Sequence, residues 1–319
     1  MVEKKKYRKY FERDRNVSIR LTERDKEILR LVYNHRFLSS EQIRAVVGGS
    51  LNGLLLRLSK LFHAGYLDRP KAQRQKIENK PLVYGVGNEG ARVLSEELDL
   101  NLSTVDWTSK NREVKGLFIE HTSMVADFLL AVELACKKLN GVEFISPQEI
   151  ISKRPIELKG KTVGLGWGVT IGRSFPGVRG ETVFGVVPDS AFGLKIITAQ
   201  NKIKMNFFFV EADRSTMPIK SNSLQRSSYF KKMIGYFESW RQELYIKNFG
   251  FTDPRIISLT ISKERINSMI MANKEIDPKG KGLRMFLFAP AQVFSLKNPR
   301  TVFEKKWLNG CGDVSSLLD

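Results

Sequence analysis

Residues 206–214 read NFFFVEADR. Three phenylalanines and a valine in a row leave no polar stripe for an amphipathic helix, and a run this short is a buried strand. It ends abruptly in Glu211, Asp213 and Arg214. Charges at the tip of a buried strand are paired with one another or take part in chemistry, because an isolated charge costs too much to bury. The tip of this strand is therefore where function is sought.

The 319 residues allow two or three domains and an ample core. Lys and Arg number 53 against 34 Asp and Glu, a net charge of +19 with an isoelectric point near 9.9. A polyanion is the first partner this implies. Disorder is excluded, since 42% of the residues are hydrophobic. Cys136 and Cys311 are the only cysteines, and neither has a partner at zinc-finger spacing. No stretch is apolar enough for a membrane span, and the first residues, MVEKKKYRKYFERDR, hold no apolar signal region. The expectation is a cytoplasmic protein without membrane contact.

The first hundred residues carry helical signals. Thr22 with Asp25 three residues on forms a capping pair before DKEILRLVYNH, and Ser39 or Ser40 caps a second helix that stops at Gly48 and Gly49. In SLNGLLLRLSKLFHAGYL, Leu51, Leu54, Leu55, Leu58, Leu61 and Phe62 recur at helical spacing. Three short helices with tight turns make a helix-turn-helix core. The basic, turn-rich segment DRPKAQRQKIENKP then leads into the strand from Leu82 to Val86, which describes a wing. GYLDR before it and VYGVGNEGARVL after it resemble bacterial winged-helix DNA-binding domains over residues 19–100. On the third helix the side turned from most of the leucines holds Asn52 and Arg57, expected to read base edges, and Lys60. Lys60, with Lys71, Arg74 and Lys76 of the wing, is expected to neutralise phosphates. Residues 1–18, with Lys4, Lys5, Lys6, Arg8 and Lys9, form a basic tail.

Residues 101–116 lose periodicity and read as a linker to a second domain over 117–319, which begins with a helix to about Leu139. The GKT at 160–162 lacks the preceding glycine of a phosphate loop, since Pro155 stands there, and GLGWG is too short for a dinucleotide fingerprint. A strand from Thr182 to Val187 ends in Pro188 and Asp189, and the phenylalanine strand ends in Glu211. Two carboxylates on neighbouring strands are placed to share a divalent metal. This arrangement resembles the PD…(D/E)xK nucleases, which implies a mixed sheet flanked by helices, Mg²⁺ held by Asp189 and Glu211, and a further acid at Glu120. The chain departs from that pattern at its lysine, whose place is taken by Asp213. Lys232 on the following helix, beside Tyr229, Met233, Tyr236 and Trp240, is the replacement candidate; alternatively, Asp213 and Arg214 pair with neighbours as a structural cluster.

The whole succession is more specific than its parts. LTERDKEIL, a helix carrying EH, VPDSAF, VEADRST and a KK-containing helix with Tyr229 and Tyr236 resemble the replication-relaxation family of bacterial plasmids and mobile elements. So do RIISLTISKERINSMI, RMFLFAPAQVF and the ending KKWLNGCGDVSSLLD. The resemblance implies an α+β protein, a winged helix-turn-helix followed by a restriction-endonuclease-like mixed-sheet domain. Its expected partner is double-stranded DNA, in plasmid replication, relaxation, mobilisation or their transcriptional control. The preferred reading has no cofactor and a nuclease-like domain kept for shape or protein contacts. Its rival is a Mg²⁺-dependent nickase or endonuclease using Asp189 and Glu211, with Glu120, Asp213 and Lys232. A third reading is a partner of replication or mobilisation proteins. A palindromic DNA site would call for a homodimer, for which no surface is legible.

Overall fold

Each of the first three helices starts where a side chain takes over an orphan backbone N–H. In α1 (Glu23–His35) the Thr22 hydroxyl accepts from the Asp25 N–H while the Asp25 carboxylate accepts from the Thr22 N–H, a complete capping box. Ser39 and Gln42 repeat the device ahead of α2 (Ser40–Val47), and Ser50 caps α3 (Leu51–His63). Gly48, at φ 68°, closes α2 in a conformation that β-carbons disfavour. This computed structural model describes residues 12–14, 16–76, 80–98, 106–155, 164–172, 181–221 and 226–319, with the backbone alone at 74–76 and 98. Most of the basic tail, the side chains of Arg74 and Lys76, part of the expected linker and the GKT segment lie outside the described residues. Two units divide between Ala126 and Asp127.

In the first unit, β1 (Leu38–Ser39), β2 (Leu67–Asp68) and β3 (Val83–Val86) form an antiparallel sheet in the order β1-β3-β2. Its apolar side joins Ile28, Leu29, Val32, Leu54, Leu58 and Leu61 in one core. Leu51 and Leu55, expected inside, are exposed at 38% and 37%, so the buried stripe of α3 is narrower than its leucine count suggests. The glycines of VYGVGNEG let α4 (Asn88–Leu98) close on the turn after α3. A β-carbon at Gly87 or Gly90 would lie 2.2 Å from the carbonyl oxygen of Gly65 or Tyr66. The expected linker instead holds α5 (Trp107–Arg112), whose Asn111 amide donates to the Val86 carbonyl at 2.8 Å and whose Trp107 meets Tyr33 edge-on. These contacts join α5 to the first unit. Its end is carried by α6 (Gly116–Cys136), in which the boundary falls.

The second unit is built on a mixed seven-stranded sheet, with α-helices and strands together giving an α+β protein. Its strands are β4 (Val142–Ile145), β7 (Ser190–Ile197), β8 (Ile203–Ala212), β9 (Arg255–Thr260), β10 (Phe286–Pro290), β11 (Trp307–Asn309) and β12 (Val314–Ser315), ordered β12-β11-β10-β9-β8-β7-β4. A separate hairpin joins β5 (Trp167–Ile171) to β6 (Thr182–Val186). β8 runs parallel to β9, and β9 to β10, while β7 is antiparallel to β8. Because successive strand residues alternate sides, Phe208 stacks on Phe192 at 4.6 Å, whereas Phe209 meets Trp167 and Tyr236 on the other side. That second side is covered by the β5–β6 hairpin, α8 (Tyr229–Arg241) and α10 (Lys263–Ile276); α7 (Pro147–Ser152), α9 (Leu244–Phe249) and α11 (Thr301–Glu304) complete the helices. One strand differs from expectation. Asp189 does not end the strand from Thr182, which pairs with β5, but immediately precedes β7, a separate strand. Among the described residues no helix is long and apolar enough to cross a membrane.

Candidate functional site

Alternation along β8 decides where its terminal acid points. Phe207, Phe209 and Glu211 share one face, so Glu211 faces α8. There, Lys232 and Tyr236 stand four residues apart on one side of the helix and grip the same carboxylate. Lys232 Nζ lies 2.5 Å from Oε2, and the Tyr236 hydroxyl donates to Oε1 at 2.6 Å. Glu211 is 4% exposed. Burial, with the negative charge of Asp189 added, raises its pKa to about 7 against the pull of Lys232 and Tyr236. For Lys232, burial works against the charge but the carboxylates of Glu211 and Asp189 outweigh it, and its pKa is raised. Asp189 is brought alongside because the start of β7 meets the end of β8. Its N–H donates to the Val210 carbonyl at 3.1 Å, and its Oδ2 accepts from the Ala212 N–H at 2.8 Å. A cavity of about 220 Å³ borders Glu211, Lys232 and Tyr236, walled by Phe184, Val187 and Ser228.

The neighbouring Asp213 belongs to another arrangement. β8 ends at Ala212, and the Asp213 carboxylate takes both Nε and Nη2 of Arg265, at 2.8 and 2.9 Å, with the Thr260 hydroxyl at 3.1 Å. Arg265 also donates to the Met217 carbonyl. The Asp213 carboxylate, one of the candidate acids, thus ties the strand end to the first turn of α10. Glu120 lies in the first unit, on the part of α6 before the boundary, and not in the unit that holds Glu211. Arg265 went unread in the sequence; its place three residues after the Ser262 cap was the available signal.

The carboxylates of Glu211 and Asp189 are engaged by donors of the protein itself. Both Glu211 oxygens already accept from protein donors, one of them an ammonium, and one Asp189 oxygen accepts a backbone N–H. Lys232 thus stands beside Glu211 and Asp189, the place for which the sequence made it the candidate. Among the described residues no three His, Cys, Asp or Glu side chains gather in a group able to hold a metal. Within the trio of Glu211, Lys232 and Tyr236, burial brings the carboxyl of Glu211 to about 7, while the pKa values of Lys232 and Tyr236 are raised.

In the first unit, the outer face of α3 presents Asn52, Leu56 and Lys60 to solvent, Leu56 being 61% exposed, and Lys71 is exposed beyond β2. Arg57, on the same helix, is partly exposed and engaged by its neighbours. Its Nε donates to Asp25 Oδ1 at 2.7 Å, its Nη2 to Asp25 Oδ2, and Nη2 also to the Arg20 carbonyl at 2.8 Å. Asp25 is 1% exposed, and burial pushes its carboxyl up. Arg57 and the Thr22 hydroxyl and N–H outweigh this and hold it below the ordinary carboxylate range. Arg57 therefore ties α3 to the start of α1.

A model of the replication-relaxation family matches residues 29–253, well over half of the chain. The chain belongs to the replication-relaxation family. No curated protein and no solved structure matches it. The matched span runs through the helices and small sheet of the first unit and on past Glu211, Lys232 and Tyr236. For this replication-relaxation protein, membership implies a role in the replication or relaxation of plasmids or mobile elements, with DNA or replication components as partners.

Proposed function

We propose that the chain binds double-stranded DNA of a mobile element through its first unit, with α3 as the helix that enters the major groove. The observation that carries this reading is the split character of α3. Leu54, Leu58, Leu61 and Phe62 are buried, while Asn52, Leu56 and Lys60 stand free of the core on the opposite side. The order of three helices with a small sheet, β1 between α1 and α2 and the β2–β3 pair after α3, supports reading this unit as a winged helix. Asn52 suits an adenine edge, Leu56 a thymine methyl, and Lys60 and Lys71 the phosphates. Arg57 acts as a positioning residue that holds the reading helix. The charge of +19 favours the same polymer.

The second unit, in this reading, serves as a scaffold whose buried acid is answered by its own lysine. Supercoiled plasmid incubated with the protein and Mg²⁺ or Mn²⁺ tests this: no nicking is expected. Metal-dependent nicking that Asp189→Ala abolishes would instead establish the nickase. Duplex binding is tested by gel shift across a salt series, where Lys60→Ala is expected to lower the salt slope by about 0.9. A wild-type protein that retains no duplex in dilute buffer would refute the proposal.

A further inference from the structure

The parallel strands β8, β9 and β10 have two ends. Their carboxyl ends carry the acids Glu211 and Asp213. Their amino ends, about 20 Å away along β8 at ~3.3 Å per residue, border a groove of about 720 Å³. Into it open Met205 and Phe207 of β8, Trp240 at the end of α8, and Lys281 and Arg284 from the segment Lys279–Arg284, KGKGLR. That segment is set by its own hydrogen bonds. Asp277 Oδ1 accepts from the Lys279 N–H at 3.2 Å, and Oδ2 from the Gly282 N–H at 2.9 Å. Gly282 lies flat on two rings: a β-carbon there would be 2.6 Å from Phe237 Cε2 and 3.1 Å from Trp240 Cζ3. Trp240, half-buried, lines the groove beside it.

The charges differ in what they are used for. Arg255, at the foot of β9, is spent on the Ser316 and Leu317 carbonyls at 2.6 and 2.7 Å. Lys281 and Arg284 are exposed and have no ion-pair or hydrogen-bond partner among the described residues; the acids that share the groove are Asp253 and Asp319. Lys202 and Lys204 are exposed at the start of β8. Two uncommitted cations flanking an accessible aromatic ring are the elements of a single-strand nucleic-acid site, in which phosphates meet the cations and a base stacks on the ring. A duplex keeps its base faces inside the stack and offers none to an indole.

We propose that this groove binds single-stranded DNA, through Lys281 and Arg284 on phosphates and Trp240 under a base, as a second nucleic-acid contact separate from α3. The choice of polymer rests on the DNA reading above. Full-length protein is titrated into labelled oligothymidine, and separately into a labelled duplex. The double variant Lys281→Ala, Arg284→Ala is expected to bind oligothymidine at least about tenfold more weakly. Its salt slope should fall by about 1.4, two phosphates at ~0.7 each, with duplex affinity unchanged. Trp240→Phe, which keeps a ring in the packing, should weaken oligothymidine binding and remove part of the ligand-induced tryptophan quenching. Wild-type affinity and slope in the double variant would overturn the proposal, as would a wild type that holds no oligothymidine at low salt. If Asn52→Ala and Lys60→Ala, rather than the groove variants, weaken oligothymidine binding, the groove fails while the duplex reading stands. If α3 variants weaken neither ligand and the groove variants weaken oligothymidine, the groove stands and the α3 reading fails.

Discussion

Asp25 in the first unit and Glu211 in the second are each buried against a cation, and these two pairs behave oppositely. Asp25 is 1% exposed and Glu211 is 4% exposed, so burial acts on both. Asp25 receives two N–H groups from the fork of Arg57 and two more donors from Thr22, and it stays ionised below the ordinary carboxylate range. Glu211 receives one ammonium and one phenol, with Asp189 nearby, and its pKa is raised to about 7. The difference lies in donor number and in the sign of the next charge. A planar guanidinium satisfies both oxygens at once, whereas an ammonium is a point charge that answers one. The first pair is a fastening. The second is a group whose charge depends on pH in the physiological range.

The widest separation of the pairs is expected from Lys232→Met. At pH 8 it leaves the Glu211 carboxylate buried without its cation, a loss of about 3–5 kcal/mol. At pH 5 Glu211 carries a proton, and most of that loss should vanish. The wild type should show the same sign: a folded-state pKa above the unfolded one contributes stability that is full below about 4.5 and lost as pH rises through about 7, on the order of 3 kcal/mol. Urea unfolding at the two pH values measures both. An equal loss at pH 5 and pH 8 would break the comparison, because Glu211 would then be ionised throughout.

Arg57→Met is expected to cost less, about 2–3 kcal/mol, since the guanidinium is partly exposed while Asp25 is not. Here the sign is reversed. A depressed carboxyl contributes stability present above the unfolded pKa of about 3.8 and lost as pH falls through the folded value, so pH 5 and pH 8 should give the same loss. DNA binding sharpens the point. With the folded fraction accounted for, Arg57→Met should keep the sequence preference of the wild type; a relaxed preference at one base pair would return Arg57 to the base edge.

How far these pairs were legible depends on sequence separation. The caps at Thr22, Ser39 and Ser50 are contacts across three residues, and local spacing reveals them. β8 was legible because four apolar residues in a row fit a strand buried on both sides. β7 was not, since in SAFGLKII the glycine and lysine break the apolar run, and only pairing with β8 explains Ala191 and Phe192 as core. Glu211 and Asp213 look equivalent in a sequence, both on one parity of the strand. They separate because the strand ends between them, sending one to α8 and the other to Arg265, 52 residues on. Asp25 served the capping pattern so well that its second partner, 32 residues away, left no local trace. Likewise, the expected linker was unperiodic because α5 is only six residues long and held by single contacts.

Asn52→Ala is expected to have the smallest effect on folding and the most selective effect on function. The side chain is exposed on α3, away from the buried leucines, so its removal should change stability by no more than about 0.5 kcal/mol. If α3 reads DNA, the same change should cost about 1–3 kcal/mol of discrimination at one base pair and leave the salt slope untouched, because no phosphate contact is lost. Selection of bound sequences from a random duplex pool, run for wild type and variant, separates these quantities. A preference lost at a single position places Asn52 on a base edge, while a uniform fall in affinity with a shallower slope places it on the backbone. No change in either would mean that α3 lies outside the DNA contact, and that the fastening of Arg57 to Asp25 secures a helix with a different partner.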